Sequence, residues 1–295
     1  MPKTDRIGVN CALSTPFTAG GAIDHSLLIE HARWVLAAGA DGITLFGTTG
    51  EGAGIGLHER IGAMGALAGA GFDFRRSVVV SVTSSTIEDA VAQTRAGYAY
   101  GARAILITPS FYFPDMPEDG IFDWFSTVFQ ELGTELRDIL LYHIPNMTRS
   151  QITPHLVSRL RDAFGDAIVG IKDSAGNWEA TQALLDAHRD FQVLVGSERH
   201  VAQAVSEGGS GTICGLANFQ PALLRGPVAA GRDEPLIMAY RSAILPDPFP
   251  ASLKALVARR TGRQEWLRMR PPNVTFDDAR VTALMTRIEQ VRALQ

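Results

Sequence analysis

The sequence predicts an α/β protein, a TIM (β/α)8 barrel followed by a C-terminal helical extension. Two observations support this prediction. Eight short apolar runs recur along the chain, and stretches with apolar residues at three- and four-residue spacing separate most of them. Near-continuous apolar strands are typical of a parallel sheet covered on both faces, and right-handed crossovers can close eight such strands into a barrel. A doubly wound open sheet is the structural alternative.

The elements follow one another in a regular order. The predicted strands are residues 7–17, 42–49, 77–84, 103–110, 138–145, 167–174, 191–198 and 211–219. The predicted helices between them are residues 24–39, 57–70, 86–101, 118–133, 153–165, 177–190 and 198–209. Two helices begin with cap signals, because Thr86 is followed by Asp89 three residues on and Thr153 precedes Pro154.

After about residue 220 the pattern becomes purely helical. The helical stretches there are residues 221–231, 251–262 and 277–294. We therefore predict a barrel over residues 1–220 and a helical extension, packed on the barrel, over residues 221–295.

Composition excludes several classes of protein. The net charge of −4 gives no basic surface for nucleic acid or an anionic membrane. No apolar run approaches the roughly 18–20 residues of a membrane span, and the first residues, MPKTDRIGVN, lack the apolar core of a signal peptide. Cys11 and Cys214 are far apart in sequence, which argues against a disulfide framework or structural zinc. We expect a cytoplasmic protein.

The strand ends carry the candidate chemistry, since barrel active sites lie at the carboxyl ends of the strands. Lys172 ends the sixth predicted strand, and lysine is rare in this chain: only Lys3, Lys172 and Lys254 are lysines among 27 basic residues. A lysine at a strand end commonly extends to solvent. Desolvation disfavours a charged amine, however, and a neutral amine can attack a carbonyl to form a Schiff base. Lys172 is therefore the predicted nucleophile.

Two further residues complete the predicted catalytic group. Tyr142 ends the fifth strand and could carry a proton, while His143 should face the opposite way, toward the helices. The turn at residues 47–50 offers backbone N–H groups that could hold a carboxylate, and Thr48 could pass a proton to Tyr142. Each of these residues also has a purely structural interpretation, as a core aromatic or an ordinary turn.

Other chemistries lack their motifs. The sequence contains no P-loop, dinucleotide-binding glycine motif, nucleophile elbow or zinc-protease motif. GGSGTICG at 208–215 could bind a phosphate after the seventh strand, but a tight turn is the simpler interpretation. Only Glu198, Asp173 and His143 at the strand ends could hold a metal. We expect no metal and no cofactor beyond a covalent Schiff base between lysine and substrate.

Three motifs together resemble the dihydrodipicolinate synthase / N-acetylneuraminate lyase family. They are GTTGE at 47–51, YHIPN at 142–146 and GIKDSAGN at 170–177, and similarity extends over nearly the whole chain. The resemblance implies a Schiff base between Lys172 and a 2-keto acid such as pyruvate, with Tyr142 as proton shuttle and Thr48 in the relay. It also implies that Gly47 and Thr49 bind the keto-acid carboxylate, that Ile213 lines the pocket, and that the protein is a homotetramer.

The chain departs from that family in places that bear on substrate. Met147 stands where synthases carry a carboxylate-binding arginine, and Arg149 lies two residues on. Either Phe111 or Tyr112 takes the position of a tyrosine that crosses a subunit interface. The residues that bind the polyol tail in sialic acid lyases are matched by Ser197, Glu198 and Gly215, which argues against sialic acid. We expect Tyr112, Ser197 and Glu198 to contact a hydroxylated substrate tail.

These observations favour a Schiff-base aldolase or dehydratase acting on a 2-keto-3-deoxy sugar acid. One alternative is dihydrodipicolinate synthase, which condenses pyruvate with aspartate semialdehyde. The other is a non-catalytic regulatory barrel that binds a keto acid, since a fold can persist without its chemistry.

Overall fold

Eight parallel strands close into a barrel, which confirms the predicted fold. The computed structural model describes residues 6–294. Each strand pairs with its neighbours in chain order, and β1 pairs with β8 to close the sheet. The strands are β1 Gly8–Ala12, β2 Gly42–Leu45, β3 Val78–Val82, β4 Ala104–Ile107, β5 Ile139–His143, β6 Ile168–Asp173, β7 Gln192–Val195 and β8 Gly211–Cys214.

Helices cover the outside of the barrel. The helices are α1 His25–Ala37, α2 Leu57–Gly69, α3 Phe74–Ser77, α4 Ile87–Ala99, α5 Glu118–Leu132, α6 Pro145–Thr148, α7 Pro154–Phe164, α8 Trp178–Ala187, α9 Val201–Ser206, α10 Arg225–Ala230, α11 Pro235–Ile244, α12 Phe249–Thr261 and α13 Asp278–Arg292. Both predicted caps are confirmed, because the hydroxyls of Thr86 and Thr153 accept hydrogen bonds from backbone N–H groups in the first turns of α4 and α7.

The strands are shorter than the apolar runs predict. The first run continues to Phe17, but β1 ends at Ala12, and the last run becomes a 3-10 turn after Cys214. Residues beyond the paired segments remain buried as loops at the barrel mouth. An apolar run indicates that its residues are buried, but it does not indicate how many of them pair. Pairing stops where the neighbouring strand ends, so the strands are shorter than the apolar runs. Helix α11 was not among the predicted segments, although it buries Ile237 and Tyr240.

Side chains divide between two cores by strand alternation. Residues such as Val79, Leu106 and Leu140 fill the barrel interior together with Tyr142 and Ile213. Their chain neighbours point outward and pack against the helices in a larger cluster. This alternation decides which side chain at each strand end faces the barrel mouth.

The two cysteines meet although they are far apart in sequence. Cys11 on β1 and Cys214 on β8 are register partners at the seam where the barrel closes. Both are free thiols and both are buried. Burial raises the pKa of Cys214 to about 12, so its thiol stays protonated and packs as an apolar group.

Across residues 6–294, every helix falls short of the length or the apolar character that crossing a bilayer requires.

The C-terminal helices pack against the barrel through a buried ion pair. Helix α12 is buried continuously from Ala251 to Ala258. Its Lys254, which is 0% exposed, donates to Glu51 Oε1 at 2.5 Å and to the Arg268 carbonyl at 2.9 Å. Burial lowers the pKa of Lys254 to about 8, and the Glu51 carboxylate opposes that shift. The division of the chain at residue 220 stays a prediction.

We expect Lys254→Met to lower the free energy of unfolding by about 3–5 kcal/mol, because it leaves the Glu51 carboxylate buried without its cation. The measurement is urea unfolding at pH 7. The double variant Lys254→Met/Glu51→Gln is the control, and it should recover much of the loss since no uncompensated charge remains. A single variant as stable as the unsubstituted protein would contradict this account.

Candidate active site

Lys172 and Tyr142 meet at the carboxyl end of the barrel. They are register partners on β5 and β6, so both side chains point to the same face of the sheet, the barrel interior. Lys172 Nζ donates to Tyr142 Oη at 3.0 Å and lies 4.2 Å from the centre of the tyrosine ring. Lys172 is 4% and Tyr142 is 2% exposed. The predicted nucleophile and proton carrier are thus in direct contact and shielded from solvent.

Thr48 extends this contact toward the mouth of the barrel. Its hydroxyl lies 3.3 Å from Tyr142 Oη. Burial alone raises the pKa of Tyr142, but the charge of Lys172 and hydrogen bonds with Thr48, Lys172 and Ser174 together bring that pKa below its usual value. A phenol in this state gives up its proton more readily than free tyrosine, as a proton carrier must.

Gly196 leaves room for Lys172. It follows β7, the strand beside Lys172. A Cβ at Gly196 would lie 2.0 Å from Ser174 Oγ and 3.1 Å from Lys172 Cε. Any side chain there would displace Ser174 and press on the lysine stem, so the glycine leaves the space that the Lys172 side chain occupies.

The turn after β2 is strained. Phe46 and Glu51 both adopt left-handed backbone conformations, with φ of 60° and 57°. Backbone hydrogen bonds from Glu51 N to Thr48 O and from Gly52 N to Gly47 O close the turn. Such conformations cost roughly 1–3 kcal/mol each and persist where surrounding structure enforces them. The closed turn places the Thr48 hydroxyl within 3.3 Å of Tyr142 Oη.

Arg60, on α2, enforces that turn. It is 1% exposed and donates to three carbonyls: Gly52 at 2.6 Å, Ser81 at 2.7 Å and Ile55 at 2.9 Å. Its guanidinium also stacks over the Phe46 ring at 4.9 Å. Burial lowers the pKa of Arg60 to about 10, which still leaves the group charged at neutral pH. A buried cation held by carbonyls therefore ties the strained turn to β3.

A cavity of about 410 Å³ opens above Thr48. It is lined by Thr48, Glu51, Gly52, Ala53, Gly54, Thr83, Thr108, Phe111, Ile144, Met147, Thr148, Arg270, Pro271, Pro272 and Asn273. Tyr142 and Lys172 are not among the lining residues, and Thr48, which lies 3.3 Å from Tyr142 Oη, connects the cavity to them. The volume suits a small-molecule ligand that bears several functional groups.

The C-terminal extension supplies one wall of the cavity. Asn273 Nδ2 donates to Glu51 Oε2 at 3.0 Å. Arg270 forms an ion pair with Glu59, donates to the carbonyls of Gly21 and Gly54 at 2.6 and 3.2 Å, and lies over the Phe17 ring. Arg270 is the only cationic side chain among the described residues that line the cavity. All of its donor nitrogens are engaged by protein groups.

Four predicted ligands lie near this centre. Gly47 and Thr49 belong to the strained turn, and Thr49 is 8% exposed. Ile213 is buried in the same interior cluster as Tyr142, as expected for a pocket-lining side chain. Ser197 is partly exposed at the end of β7. The substrate contacts of these residues stay predictions.

Glu198 lies away from the cavity. Its side chain is 2% exposed and forms an ion pair with Arg241 at 2.8 Å. Its other oxygen accepts a hydrogen bond from Leu216 N at 3.1 Å. Both carboxylate oxygens thus tie the end of β8 to α11, so the expected contact with a substrate tail does not fit its surroundings. Sequence could not reveal this, because Arg241 is 43 residues away.

Phe111, rather than Tyr112, faces the cavity of its own chain. Phe111 lines the cavity, whereas Tyr112 has φ of 88° and is 83% exposed. Tyr112 does not line the cavity of its own chain, and its contact with a substrate stays a prediction. Within a single chain, the chain of contacts that could relay a proton runs from Lys172 through Tyr142 to Thr48.

Among residues 6–294, Arg149 does not take the place of the arginine that synthases carry at the position of Met147. Met147 lines the cavity and is 63% exposed. Arg149 has a left-handed backbone with φ of 56° and pairs weakly with Asp115 at 3.5 Å. Its side chain is 64% exposed and is not part of the cavity wall.

His143 is structural, as the strand alternation predicts. Its Nδ1 lies 2.9 Å from Asp173 Oδ1, and its Nε2 lies 3.1 Å from Gln151 Oε1. Thr181 donates to Asp173 Oδ2 at 2.5 Å. Burial raises the pKa of Asp173, but hydrogen bonds from His143, Thr181 and the Ala175 N–H outweigh it and lower that pKa. Asp173 therefore points away from Lys172 and stays ionised.

Sequence reasoning missed Arg60, Lys254 and Asn273. Lys254 gave a usable signal, because it shares the rarity that marked Lys172 and sits within an apolar helix. Arg60 gave no such signal, because arginine is the common basic residue of this chain. The carbonyl groups that Arg60 contacts are brought to it only by the fold. Asn273 belongs to a segment without periodicity.

Comparison with known proteins identifies the relatives of this chain. A family profile described as the dihydrodipicolinate synthetase family matches residues 5–290. A crystal structure of dihydrodipicolinate synthase from Agrobacterium tumefaciens superposes with a TM-score of 0.94 at 38% identity, covering 97% of this chain and 99% of that one.

Two further relatives span the same length. A Chloroflexus aurantiacus protein called an uncharacterized DapA-like lyase is 30% identical, with 97% of each chain covered. YagE of Escherichia coli K12, named a putative 2-dehydro-3-deoxy-D-gluconate aldolase, is 27% identical, with 97% of each covered. A crystal structure of YagE in complex with pyruvate has a TM-score of 0.84 at 25% identity, covering 97% of this chain and 98% of that one.

We expect Gly196→Ala to fold but to lose at least about 10²-fold of its reactivity toward a keto acid, because a displacement near 1 Å can cost that much. The measurement is the rate of covalent trapping at Lys172 together with thermal unfolding. Gly226→Ala, in α10 with open space around its Cβ position, is the matched control and should react normally. Normal reactivity of Gly196→Ala would show that this glycine does not position the lysine.

Proposed function

The chain belongs to the dihydrodipicolinate synthetase family, and on that basis we propose that it is a Schiff-base-forming lyase. We propose further that it acts as an aldolase or dehydratase on a 2-keto-3-deoxy sugar acid. The observation that carries this proposal is the contact of Lys172 Nζ with Tyr142 Oη at 3.0 Å, behind a cavity. An amine held against a phenol, away from solvent, suits imine chemistry.

The first stage builds an electron sink. Neutral Lys172 attacks the C2 carbonyl of the keto acid, and the resulting carbinolamine loses water to become an iminium. Tyr142 supplies the proton that lets the hydroxyl leave as water, and Thr48 links Tyr142 to the cavity. In this proposal Gly47 and Thr49 hold the carboxylate through backbone N–H groups, and Ile213 packs beside the reacting carbons.

The second stage differs between the two candidate reactions, aldol cleavage and dehydration. In cleavage, Tyr142 takes the proton of the C4 hydroxyl, the C3–C4 bond breaks, and its electrons form an enamine as an aldehyde leaves. In dehydration, C3 loses a proton and the C4 hydroxyl leaves as water. In both, protonation and hydrolysis then free Lys172. The residues around Tyr142 serve either path.

Charge favours this activity over dihydrodipicolinate synthase. Aspartate semialdehyde carries a carboxylate at its far end, which needs a free cation. Among the described cavity-lining residues the one cation, Arg270, is fully engaged, and Met147 takes the arginine position. A coupled assay with pyruvate and aspartate semialdehyde distinguishes the two, and rapid turnover would favour the synthase.

The non-catalytic alternative is less well supported. A protein that only binds a keto acid needs no proton carrier beside its lysine. The 3.0 Å contact, the lowered pKa of Tyr142 and the space left by Gly196 all serve turnover rather than binding.

We also propose that the protein is a cytoplasmic homotetramer that takes a small-molecule 2-keto acid. The loop after β4 supports assembly, because Tyr112, Phe113 and Met116 are 83%, 60% and 46% exposed. The Tyr112 and Phe113 rings pack edge to face on that loop. Exposed aromatic side chains of this kind are common at protein interfaces.

Trapping and turnover should separate the roles of the two central residues. Pyruvate followed by borohydride should add a mass adduct that peptide mapping places on Lys172, and Lys172→Ala should lose both adduct and turnover. Tyr142→Phe should still form the adduct, but more slowly because Tyr142 assists loss of water from the carbinolamine, and it should lose about 10²-fold in turnover of 2-dehydro-3-deoxy-D-gluconate, as for other general acid–base groups. An adduct that survives Lys172→Ala, or full turnover of Tyr142→Phe, would refute the assignment.

A further inference from the structure

Thr108 carries a buried hydroxyl with no partner in the cavity wall. The residue follows β4, in which Ala104 and Leu106 point into the barrel, so alternation directs Thr108 inward as well. It is 2% exposed and lines the cavity. Within residues 6–294 its Oγ1 has no hydrogen-bond partner. A buried hydroxyl left unpaired costs about 1–3 kcal/mol. Thr108 differs from other unpaired buried hydroxyls, such as that of Thr94, because it lines the cavity, where a ligand can supply the missing hydrogen bond.

Strand register places this hydroxyl relative to the reacting centre. Val82 pairs with Ile107 and Ile107 pairs with Leu141, so Thr83, Thr108 and Tyr142 occupy the next positions on three adjacent strands. Tyr142 in turn pairs with Lys172. Thr83, Thr108, Tyr142 and Lys172 therefore form one polar row around the barrel mouth, across β3 to β6.

The spacing of the polar row sets which substrate atom meets Thr108. Neighbouring strands lie about 4.8 Å apart, so the Thr108 backbone is roughly 10 Å from that of Lys172. Thr83 and Thr108 line the cavity, whereas Lys172 does not. A ligand held at C2 by Lys172 would therefore meet these hydroxyls with the atoms beyond C2 that occupy the cavity.

Thr83 adds a second hydroxyl to the same wall. Its Oγ1 has only a long contact, 3.4 Å, with Arg60 Nη2, and Arg60 donates more strongly to three carbonyls. The Thr83 hydroxyl thus retains capacity to bind a ligand. Both hydroxyls are neutral, and each can donate one hydrogen bond and accept hydrogen bonds. Thr83 and Thr108 therefore suit a hydroxyl group of a ligand better than a carboxylate, which would need a positive charge.

We propose that Thr108, with Thr83 beside it, is a subsite for a distal hydroxyl group of the substrate, and that it selects hydroxylated keto acids over pyruvate alone. This inference rests on the proposed Schiff-base function, since Lys172 fixes the other end of the ligand. A hydroxyl of the ligand completes the hydrogen bonding of Thr108, whereas an apolar tail leaves it unpaired. The site should therefore bind a ligand with a hydroxyl at this position more tightly than one with an apolar tail, because the apolar tail leaves buried polar groups without hydrogen bonds.

The test compares two keto acids that share C1 to C3 and differ in the tail. Borohydride trapping at Lys172 is measured against the concentration of pyruvate and of 2-dehydro-3-deoxy-D-gluconate. Thr108→Val, which keeps the shape and removes the hydroxyl, should raise the half-saturating concentration of the six-carbon acid about tenfold. It should leave that of pyruvate unchanged, and Thr108→Ser should restore the preference.

Thr94→Val is the matched control. Thr94 on α4 is 0% exposed and its hydroxyl also lacks a partner among the described residues, but it does not line the cavity. Its removal should change neither concentration. Thr83→Val is a second test. It should raise the half-saturating concentration of the six-carbon acid and leave that of pyruvate unchanged.

Each outcome has a distinct meaning. Equal shifts for both acids in Thr108→Val, or no shift, overturn the subsite while leaving the Schiff base intact. Failure of the unsubstituted protein to trap the six-carbon acid, with pyruvate trapped normally, also overturns it. Failure to trap pyruvate at all refutes the proposed function itself.

Discussion

The register between β5 and β6 is the constraint on which the site depends. Because Tyr142 is paired with Lys172, the two side chains enter the barrel side by side. A slip of one residue would reverse both faces, turning Lys172 toward the helices and bringing Asp173 inside. The buried contacts of His143 and Asp173 on the outer face oppose such a slip. The hydrogen bonds on the outer face thus help to hold Lys172 and Tyr142 together on the inner face.

The barrel mouth is held together by groups distant in sequence. Glu51 ends the strained turn that presents Thr48, and its carboxylate is held by Lys254 and Asn273 of the C-terminal extension. Arg60 holds the other side of the same turn. The extension therefore does more than cover the barrel, because it completes the cavity wall and restrains the loop that carries the proton relay.

The repetitive parts of the molecule could be predicted from sequence, while contacts between distant residues could not. Eight apolar runs and intervening amphipathic stretches sufficed for the barrel, and lysine rarity marked Lys172. Alternation correctly sent His143 outward. The role of Glu198 could not be predicted, because its partner on α11 depends on how that helix packs. Nor could the sequence predict that Phe111 lines the cavity while Tyr112 is exposed, since this depends on one left-handed residue in a loop.

Two buried lysines in one chain show why only one of them suits nucleophilic attack. Lys254 faces the Glu51 carboxylate at 2.5 Å, and a carboxylate stabilises the protonated amine that cannot attack a carbonyl. Lys172 faces a phenol at 3.0 Å, and the carboxylate next to it in sequence, Asp173, points outward to His143. The Lys254 amine is fixed by the Glu51 carboxylate and the Arg268 carbonyl, and Lys254 does not line the cavity. Lys172 instead contacts a phenol that can exchange a proton with it, as the proposed imine chemistry requires. Rarity marks both lysines in the sequence, and the groups that each one faces in the fold make Lys172 the candidate for the proposed Schiff base.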